Sequence, residues 1–377
     1  MRRKLLAALV LAAYLAPATV RAEPYLAIRE GLKCSQCHAN VTGGGKRTDY
    51  GSIYANTSLP MMYFAPWKKM KEEGKQSPLS GFVTGRVTDY LSLGMDLRTS
   101  NTTALVPAGP FSPKTEANEF AVDEANLYVE GELIPQHLVL YLDAQFAPGS
   151  PKAREVFGMW KGLPWDSYVK AGRFFVPYGL RLQDDSAVIR RQTGFTFQAS
   201  DVGVEVGFEP GPFSMSVSVT NGTTTGGDDN VDKQFSTVFS WNAKCWRIGG
   251  SASFNDTPSG SRSVHGGFAG ATLGRFTGFA ELDHIMDDFG ATEVDGLAIL
   301  AELNVLVVKG FNAKFTYEYF DPDMDLSENQ RLRWSAVLEP FITQFLQARL
   351  GGRIADAPPQ LPAERAEEIF VEIHVFL

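Results

Sequence analysis

The chain has 377 residues, of which 44% are hydrophobic and 21% charged, with three cysteines and a formal net charge of −8. This composition excludes a disordered chain and a disulfide-stapled scaffold, and the acidic balance argues against nucleic acid as a partner. Beyond the N-terminal region, no apolar run approaches the roughly 18 residues that a membrane-spanning helix requires.

The first 22 residues have the pattern of a secretory signal peptide. A basic start (Arg2 to Lys4) precedes an apolar core (Leu5 to Ala16), and Val20 and Ala22 stand where a signal peptidase accepts small or modest side chains. An uncleaved anchor helix is the alternative, but the apolar core is short for a membrane span. We therefore expect residues 1–22 to be removed on export.

The next motif is Cys34-Ser35-Gln36-Cys37-His38. C-x-x-C-H is the attachment pattern of c-type haem, in which two thiols form thioethers and the histidine binds the iron. A redox dithiol and half of a zinc site are the alternatives, but a βαβ context and a second pair of zinc ligands are lacking nearby. The motif predicts one covalent haem c on Cys34 and Cys37, with His38 as the proximal iron ligand.

The sixth iron ligand is less sharply defined by the sequence. Met61 and Met62 follow the motif, and a methionine thioether is a common axial ligand of cytochrome c iron. Ordinary packing beside neighbouring aromatic residues is the alternative for both, and His374 is a distant alternative ligand. The haem module would span residues 23–80, which is small for a domain with its own core, so other parts of the chain should supply its walls.

From Phe82 onward, apolar and polar residues alternate with period two in segments long enough for tilted membrane strands. An example is Val202, Val204 and Val206 against Asp201 and Glu205. Short turns and longer polar loops follow each other in turn, and the eight long and seven short connections imply sixteen strands. The predicted long loops include 148–165.

The sequence thus predicts an all-β fold, an antiparallel transmembrane β-barrel over residues 81–377. Residues 178–190, after a turn at Pro177, are the least regular strand, so 14 strands remain an alternative to 16. A soluble exported β-sandwich is the other alternative, although it does not require long and short connections to alternate.

Several acidic residues fall on the predicted inward face of the barrel. An acidic lumen attracts cations, whereas opposite charges on an ordinary polar wall would neutralise one another. The candidate lining of a cation path is Glu124, Glu130, Asp143, Glu302 and Glu372.

Two resemblances rest on particular segments. The run from Pro24 to Lys33 before the C-x-x-C-H motif, followed by Tyr50-Gly51 and Tyr54, resembles the fused monohaem cytochrome–porins of the outer membrane, whose best-known members are iron oxidases. The segment from Val169 to Gly179 is similar to part of the phosphate-selective porin O and P family. The first resemblance implies a haem-bearing barrel that exchanges electrons with iron.

These observations favour an electron conduit in the outer membrane of a Gram-negative bacterium, with the haem module on the periplasmic side or inside the barrel. Its partners would be a periplasmic c-type cytochrome, extracellular Fe(II) or another redox partner, and outer-membrane lipid. The corresponding activity would be that of an Fe(II):cytochrome c oxidoreductase. The alternatives are a cation or anion transport porin whose haem is a plug or sensor, and a soluble exported haem enzyme.

Overall fold

The computed structural model describes residues 23–63, 84–108, 114–184, 186–224, 227–228, 230–359, 361 and 364–377. The predicted signal peptide and residues 64–80 of the predicted haem module lie outside this described part of the chain.

The described residues form sixteen strands that close into one barrel, in which each strand pairs with its sequence neighbours and β1 pairs with β16. Every pairing is antiparallel, and closure runs from Asp96 opposite Phe376 to Leu105 opposite Glu367. The strands are β1 (Leu91–Val106), β2 (Thr115–Ile134), β3 (Leu138–Ala147), β4 (Lys152–Leu163), β5 (Ser167–Phe175), β6 (Ser200–Phe208), β7 (Phe213–Thr220), β8 (Gln234–Asn242), β9 (Trp246–Thr257), β10 (Gly260–Leu273), β11 (Phe276–Asp288), β12 (Glu293–Val308), β13 (Phe311–Asp321), β14 (Arg331–Pro340), β15 (Leu346–Asp356) and β16 (Glu367–Phe376).

The strand count confirms the prediction of sixteen, but two of the predicted elements were misassigned. Residues 148–165, predicted as a long loop, contain β4, which is followed by a one-turn 3₁₀ helix at Pro164–Asp166. Residues 178–190, predicted as a strand, instead belong to a long connection between β5 and β6. One strand was missed and one was assigned wrongly, so the total number of strands is unchanged. Eight connections at one end of the barrel still alternate with seven short ones at the other.

The barrel has two chemically different faces. Leu282, Phe315 and Trp334 are among the large apolar side chains exposed on the outer surface, whereas polar and charged side chains alternate with them toward the lumen. This alternation is typical of a barrel that meets lipid outside and a polar interior inside.

Of the helices in the described part of the chain, none combines the length and the apolar character needed to cross a membrane.

Residues 23–63, which we call the plug segment, lie inside the barrel at the end that carries the short turns. The segment contains α1 (Pro24–Glu30), α2 (Cys34–Cys37) and α3 (Asp49–Thr57). The Thr48 side chain caps α3 by accepting a hydrogen bond from the backbone N–H of Gly51. If the barrel lies in the outer membrane, as the sequence predicts, its short turns face the periplasm and the plug segment lies at that end.

The plug segment is fixed to widely separated parts of the wall. The Glu23 carboxylate lies 2.9 Å from Lys314 Nζ on β13, and Lys46 Nζ lies 3.0 Å from Glu130 on β2. A third contact joins the Asn40 amide to Glu155 of β4, at 2.7 Å. All of these side chains are buried, so the contacts hold the segment across the lumen.

The connection between β5 and β6, residues 176–199, folds into the barrel from the opposite end; we call it the inward loop. It carries α4 (Val188–Thr193), which ends at Gly194 in the left-handed region with φ +87°. Apolar side chains of this loop pack in one core with those of α1: Leu180, Leu182 and Ile189 with Tyr25 and Ile28. The plug segment and the inward loop therefore meet in the middle of the lumen.

Candidate functional site

The C-x-x-C-H motif is arranged by a single helical turn. Cys34 and Cys37 stand at the two ends of α2, so their three-residue spacing brings both sulfurs to one side of the turn. The backbone N–H of His38 closes the turn on the carbonyl of Cys34 at 2.9 Å. The two thiols are half-buried and form no disulfide with each other.

Helix α3 supports this turn through a close backbone contact. A side chain at Gly51 would place its Cβ 2.2 Å from the Cys37 carbonyl oxygen, so only glycine allows α3 to approach α2 this closely. The Thr48 N–H and hydroxyl also bond to the carbonyls of Cys37 and Gln36. The motif is consequently held at both ends.

His38 is the least satisfied polar side chain of the motif. It is 4% exposed, and neither ring nitrogen has a hydrogen-bond partner of acceptable distance and angle. Burial and the nearby positive charge of Arg47 lower the pKa of His38 to about 4. Backbone groups of Gly44 and Gly45 approach the ring without forming a well-aligned hydrogen bond, and they oppose this shift only in part. The imidazole is therefore neutral at physiological pH, the form in which histidine binds metals.

Burial also raises the pKa of the Cys37 thiol to about 11, and the neighbouring Cys34 adds to the shift. A redox dithiol instead needs one thiol with a lowered pKa, because the thiolate is the attacking form. The shift at Cys37 is therefore in the direction opposite to that of an attacking thiolate.

A pocket of about 1090 Å³ of space free of protein atoms, part of it open to solvent, lies beside the motif. Cys34, Cys37 and His38 line it together, and the plug segment adds apolar side chains such as Leu26 and Leu59. Its other walls come from the inward loop and the barrel, including Leu180, Arg181, Val238 and Phe268. This arrangement agrees with the expectation that other parts of the chain supply walls around the small haem module.

The residues around the motif fit a covalently attached haem. Two thiols share one side of a helical turn, and the adjacent neutral histidine has both ring nitrogens without partners. The pocket that they line is mostly apolar, and the plug segment, the inward loop and the barrel wall each form part of it.

The structure does not bring the predicted sixth ligands into this pocket. The backbone N–H groups of Met61 and Met62 bond to the carbonyls of Phe341 and Ile342, in the turn between β14 and β15. These bonds fix the two methionines at the end of the barrel, where they are 42% and 58% exposed. His374 is fully buried in the wall, where Nε2 lies 2.9 Å from Asp96 and Nδ1 3.3 Å from Gln347. Neither the two methionines nor His374 lines the pocket.

All five predicted lumen carboxylates are buried, and each has a basic partner within 4.0 Å. These pairs are Glu124 and Asp143 with Arg154, Glu130 with Lys46, Glu302 with Lys314, and Glu372 with Arg349. Because these charges are compensated, the five carboxylates do not form a bare acidic lining, and the cation path stays a prediction.

Sequence reasoning missed several residues that shape the lumen. Arg154 was assigned to a loop, although the alternation within β4 could have placed it on an inward face. Arg181 and Arg190 were assigned to a strand, and only the tertiary structure shows that they lie on the inward loop. Among the described residues, no group of three or more His, Cys, Asp or Glu side chains has the arrangement of a metal site.

No family model matches the chain, and no curated protein matches it in sequence. Solved structures do match its fold. A loop-deletion variant of OmpT, an outer membrane protein of Vibrio cholerae, aligns with TM-score 0.59 and 11% identity over 77% of this chain and 100% of its own. An anion-selective porin of Comamonas acidovorans aligns with TM-score 0.58 and 10% identity over 76% and 100%. OprB of Pseudomonas putida aligns with TM-score 0.58 and 12% identity over 86% and 100%.

The fold therefore defines a class: this chain is a closed 16-strand barrel like those of outer-membrane porins. The predicted outer-membrane location is confirmed by this barrel and its apolar outer face. The porin part of the sequence resemblances is supported as well, and the fusion to a cytochrome stays a prediction.

Proposed function

We propose that this porin-like barrel carries one covalent haem c in its lumen and passes single electrons between the periplasm and the exterior. One observation carries the proposal: His38, buried and without hydrogen-bond partners on either ring nitrogen, shares a lumen pocket with the two thiols of its motif. A buried polar group without partners is costly, so its persistence favours a ligand for it.

Each residue of the motif has a distinct role in this proposal. Cys34 and Cys37 hold the cofactor covalently, and His38 ligates its iron. The haem supplies reversible one-electron chemistry. The walls of the pocket exclude bulk water, while the half-buried positions of Cys34 and Cys37 near the periplasmic end leave an approach for a soluble c-type cytochrome.

The exterior partner would approach from the other end. A second cavity, of about 790 Å³ including space open to solvent, lies between the inward loop and the wall formed by β1, β2, β15 and β16. Its lining carries charges of both signs: the carboxylates of Asp123, Asp184 and Glu372 and the guanidinium groups of Arg98, Arg349 and Arg353. Fe(II) that entered from this end would be the electron-donating substrate, whereas the same parts would serve electron export to an acceptor.

Haem attachment is tested by in-gel haem staining after denaturation. We expect the wild-type chain, expressed with a cytochrome c maturation system, to keep its stain. A Cys34→Ala/Cys37→Ala variant should lose the stain completely, and the matched Cys245→Ala variant should keep it, because Cys245 is exposed and does not line the pocket. An unstained wild-type chain with a folded barrel would refute the cofactor.

Electron transfer is tested in proteoliposomes that enclose a soluble c-type cytochrome, with Fe(II) added outside. The wild-type protein should reduce the enclosed cytochrome at least about tenfold faster than His38→Ala protein or protein-free liposomes. His137→Ala, in the exposed turn between β2 and β3, is the matched histidine control. Equal rates for the wild-type and His38→Ala proteins would exclude the conduit with Fe(II) as donor.

A transport porin whose lumen is occupied by the plug segment is the second candidate. The structural comparisons, taken alone, favour it, since the matching structures include porins and one of these is described as anion-selective. Planar-bilayer recordings separate the two candidates: steady, salt-dependent conductance by the intact protein supports transport. Electron transfer without such conductance supports the conduit.

A further inference from the structure

We infer that His265 and His284 form a binding site for one divalent transition-metal ion on the outer surface of the barrel, with Asp295 as the residue that positions His284. This site lies on three neighbouring strands, β10, β11 and β12, and is independent of the lumen and of the proposed haem.

The two histidines face each other across adjacent strands. They are directly opposite in the register of β10 and β11, and His284 Nδ1 lies 3.3 Å from His265 Nε2. Two Zn–N bonds of about 2.0–2.1 Å at a tetrahedral angle span about 3.3–3.4 Å between the nitrogens. The observed separation therefore matches two ligands of one tetrahedral ion.

Asp295 supplies the outer support that metal-binding histidines usually have. Its carboxylate lies 3.1 Å from His284 Nε2, the nitrogen that points away from His265. When Nε2–H donates to Asp295, the lone pair of Nδ1 is left facing His265, and a carboxylate in this position also makes the imidazole a stronger ligand. In the metal-free protein, His265 Nε2–H donates a hydrogen bond to this lone pair of His284. When a metal ion binds, His265 Nε2 becomes a ligand, so the proton of His265 is carried on Nδ1 instead.

The site faces outward from the barrel. The neighbours Asp283 and Ile285 are buried toward the lumen, so His284 between them lies on the outer face. The Asp295 side chain is 40% exposed on the same face. His265 and His284 stand nearer the ends of β10 and β11 that carry the long connections than the ends that carry the short turn.

The protein thus offers two imidazole ligands, and water or an anionic headgroup would complete the coordination. Imidazole nitrogen favours Zn²⁺, Cu²⁺ or Ni²⁺ over Ca²⁺ or Mg²⁺, which prefer oxygen. With two protein ligands the site is exchangeable and differs from a closed structural zinc site, which has four.

The test uses the purified protein, folded in detergent, titrated with Zn²⁺ alone by calorimetry and with Cu²⁺ for electron paramagnetic resonance. The wild-type protein should bind one more equivalent of Zn²⁺ than a His265→Ala/His284→Ala variant, and its Cu²⁺ spectrum should show coupling to two nitrogens. Asp295→Asn should keep this coupling and weaken binding about 10- to 100-fold.

His137→Ala is the matched control and should bind like the wild type, because His137 lies at the opposite end of the barrel. Heat-modifiable gel migration of every variant verifies that the barrel has folded. Equal Zn²⁺ stoichiometry and affinity in the wild-type and double-variant proteins would overturn the site, as would a Cu²⁺ spectrum unchanged by the double substitution. Loss of Zn²⁺ binding in His137→Ala as well would also overturn it.

Discussion

At the scale of single residues, the wall is dominated by buried charges that neutralise one another. Arg154 shows the pattern: its guanidinium makes two bonds to Asp143, at 3.1 and 2.8 Å, and one to Glu124 at 2.8 Å. All three side chains are almost fully buried. Removing one partner from such a cluster is costly because it leaves unpaired charge in a poorly solvated place.

Arg154→Ala should therefore destabilise the barrel by about 3–5 kcal/mol, since Asp143 loses two charged hydrogen bonds and Glu124 keeps only its longer contact with Arg98, at 3.6 Å. The free energy of unfolding from urea-dependent refolding into micelles measures this. Lys152→Ala, two residues away on the same strand but exposed, is the control and should change stability by less than about 0.5 kcal/mol. Equal effects of the two substitutions would contradict the structural role of the cluster.

The same scale shows what residue patterns can predict. The order Cys34, Cys37, His38 is a local motif, and the structure brings its three side chains to one pocket. The partners of a buried charge are not local: Arg154 and Glu124 are 30 residues apart in sequence. Alternation can place each of them on an inward face, but which charges meet depends on the strand register.

At the scale of elements, the inward loop is the feature that sequence alternation misassigned. Its residues 178–190 contain alternating apolar side chains like a strand, but Leu180, Leu182 and Ile189 pack against α1 inside the lumen. Ion pairs with the wall fix the loop there: Asp184 lies 2.9 Å from Arg353, and Arg190 contacts Glu281. Tertiary contacts of this kind override a local β preference.

The Asp184 contact predicts how docking of the loop depends on pH. Burial alone would raise the pKa of Asp184, but the guanidinium groups of Arg353 and Arg333 outweigh burial and hold the pKa well below its usual range. The contact therefore contributes its full stabilisation at any pH above about 4, the pKa of Asp184 in the unfolded chain. This stabilisation is lost only as the pH falls through the lower pKa that Asp184 has in the folded protein. Lowering the pH from about 8 to about 5 should therefore leave the Asp184–Arg353 contact intact.

Asp184→Asn removes the negative charge at every pH, so the inward loop should leave its position against the wall more often. Trypsin cleavage after the exposed Arg191 should then be several-fold faster than in the wild type, because cleavage requires local opening. Asp228→Asn, which breaks an exposed pair with Lys233, is the control and should leave this cleavage unchanged. Equal cleavage rates for the wild-type and Asp184→Asn proteins at pH 8 would contradict the assignment.

At the scale of the whole molecule, the closed sheet and its apolar outer face were predictable, because period-two alternation and alternating connection lengths extend along most of the chain. The strand number came out right although two of the predicted elements were misassigned, since one missed strand offset one false strand. The packing of residues 23–63 within the barrel was less predictable, because it depends on contacts such as Glu23 with Lys314, which are 291 residues apart.

If the outer face meets lipid, the cost of placing a charge on it should depend on depth in the membrane. Leu282, in the middle of β11 and 46% exposed on the outer face, should tolerate arginine poorly: Leu282→Arg should cost about 2–4 kcal/mol in refolding into bilayers. Leu273→Arg, at the turn end of β10 and 83% exposed, should cost only about 0–1 kcal/mol. Equal costs at both positions would argue against a lipid-facing belt.

The attachment of the plug segment to distant strands has a mechanical consequence. A hollow cylinder yields most easily by flattening, which brings two opposite walls together and separates the walls at right angles. Asn40 holds β4 while Glu23 holds β13, and these strands are almost diametrically opposed in a ring of sixteen. The segment thus acts as a transverse strut, so the cross-section should be stiffer in that direction than in a barrel with an empty bore.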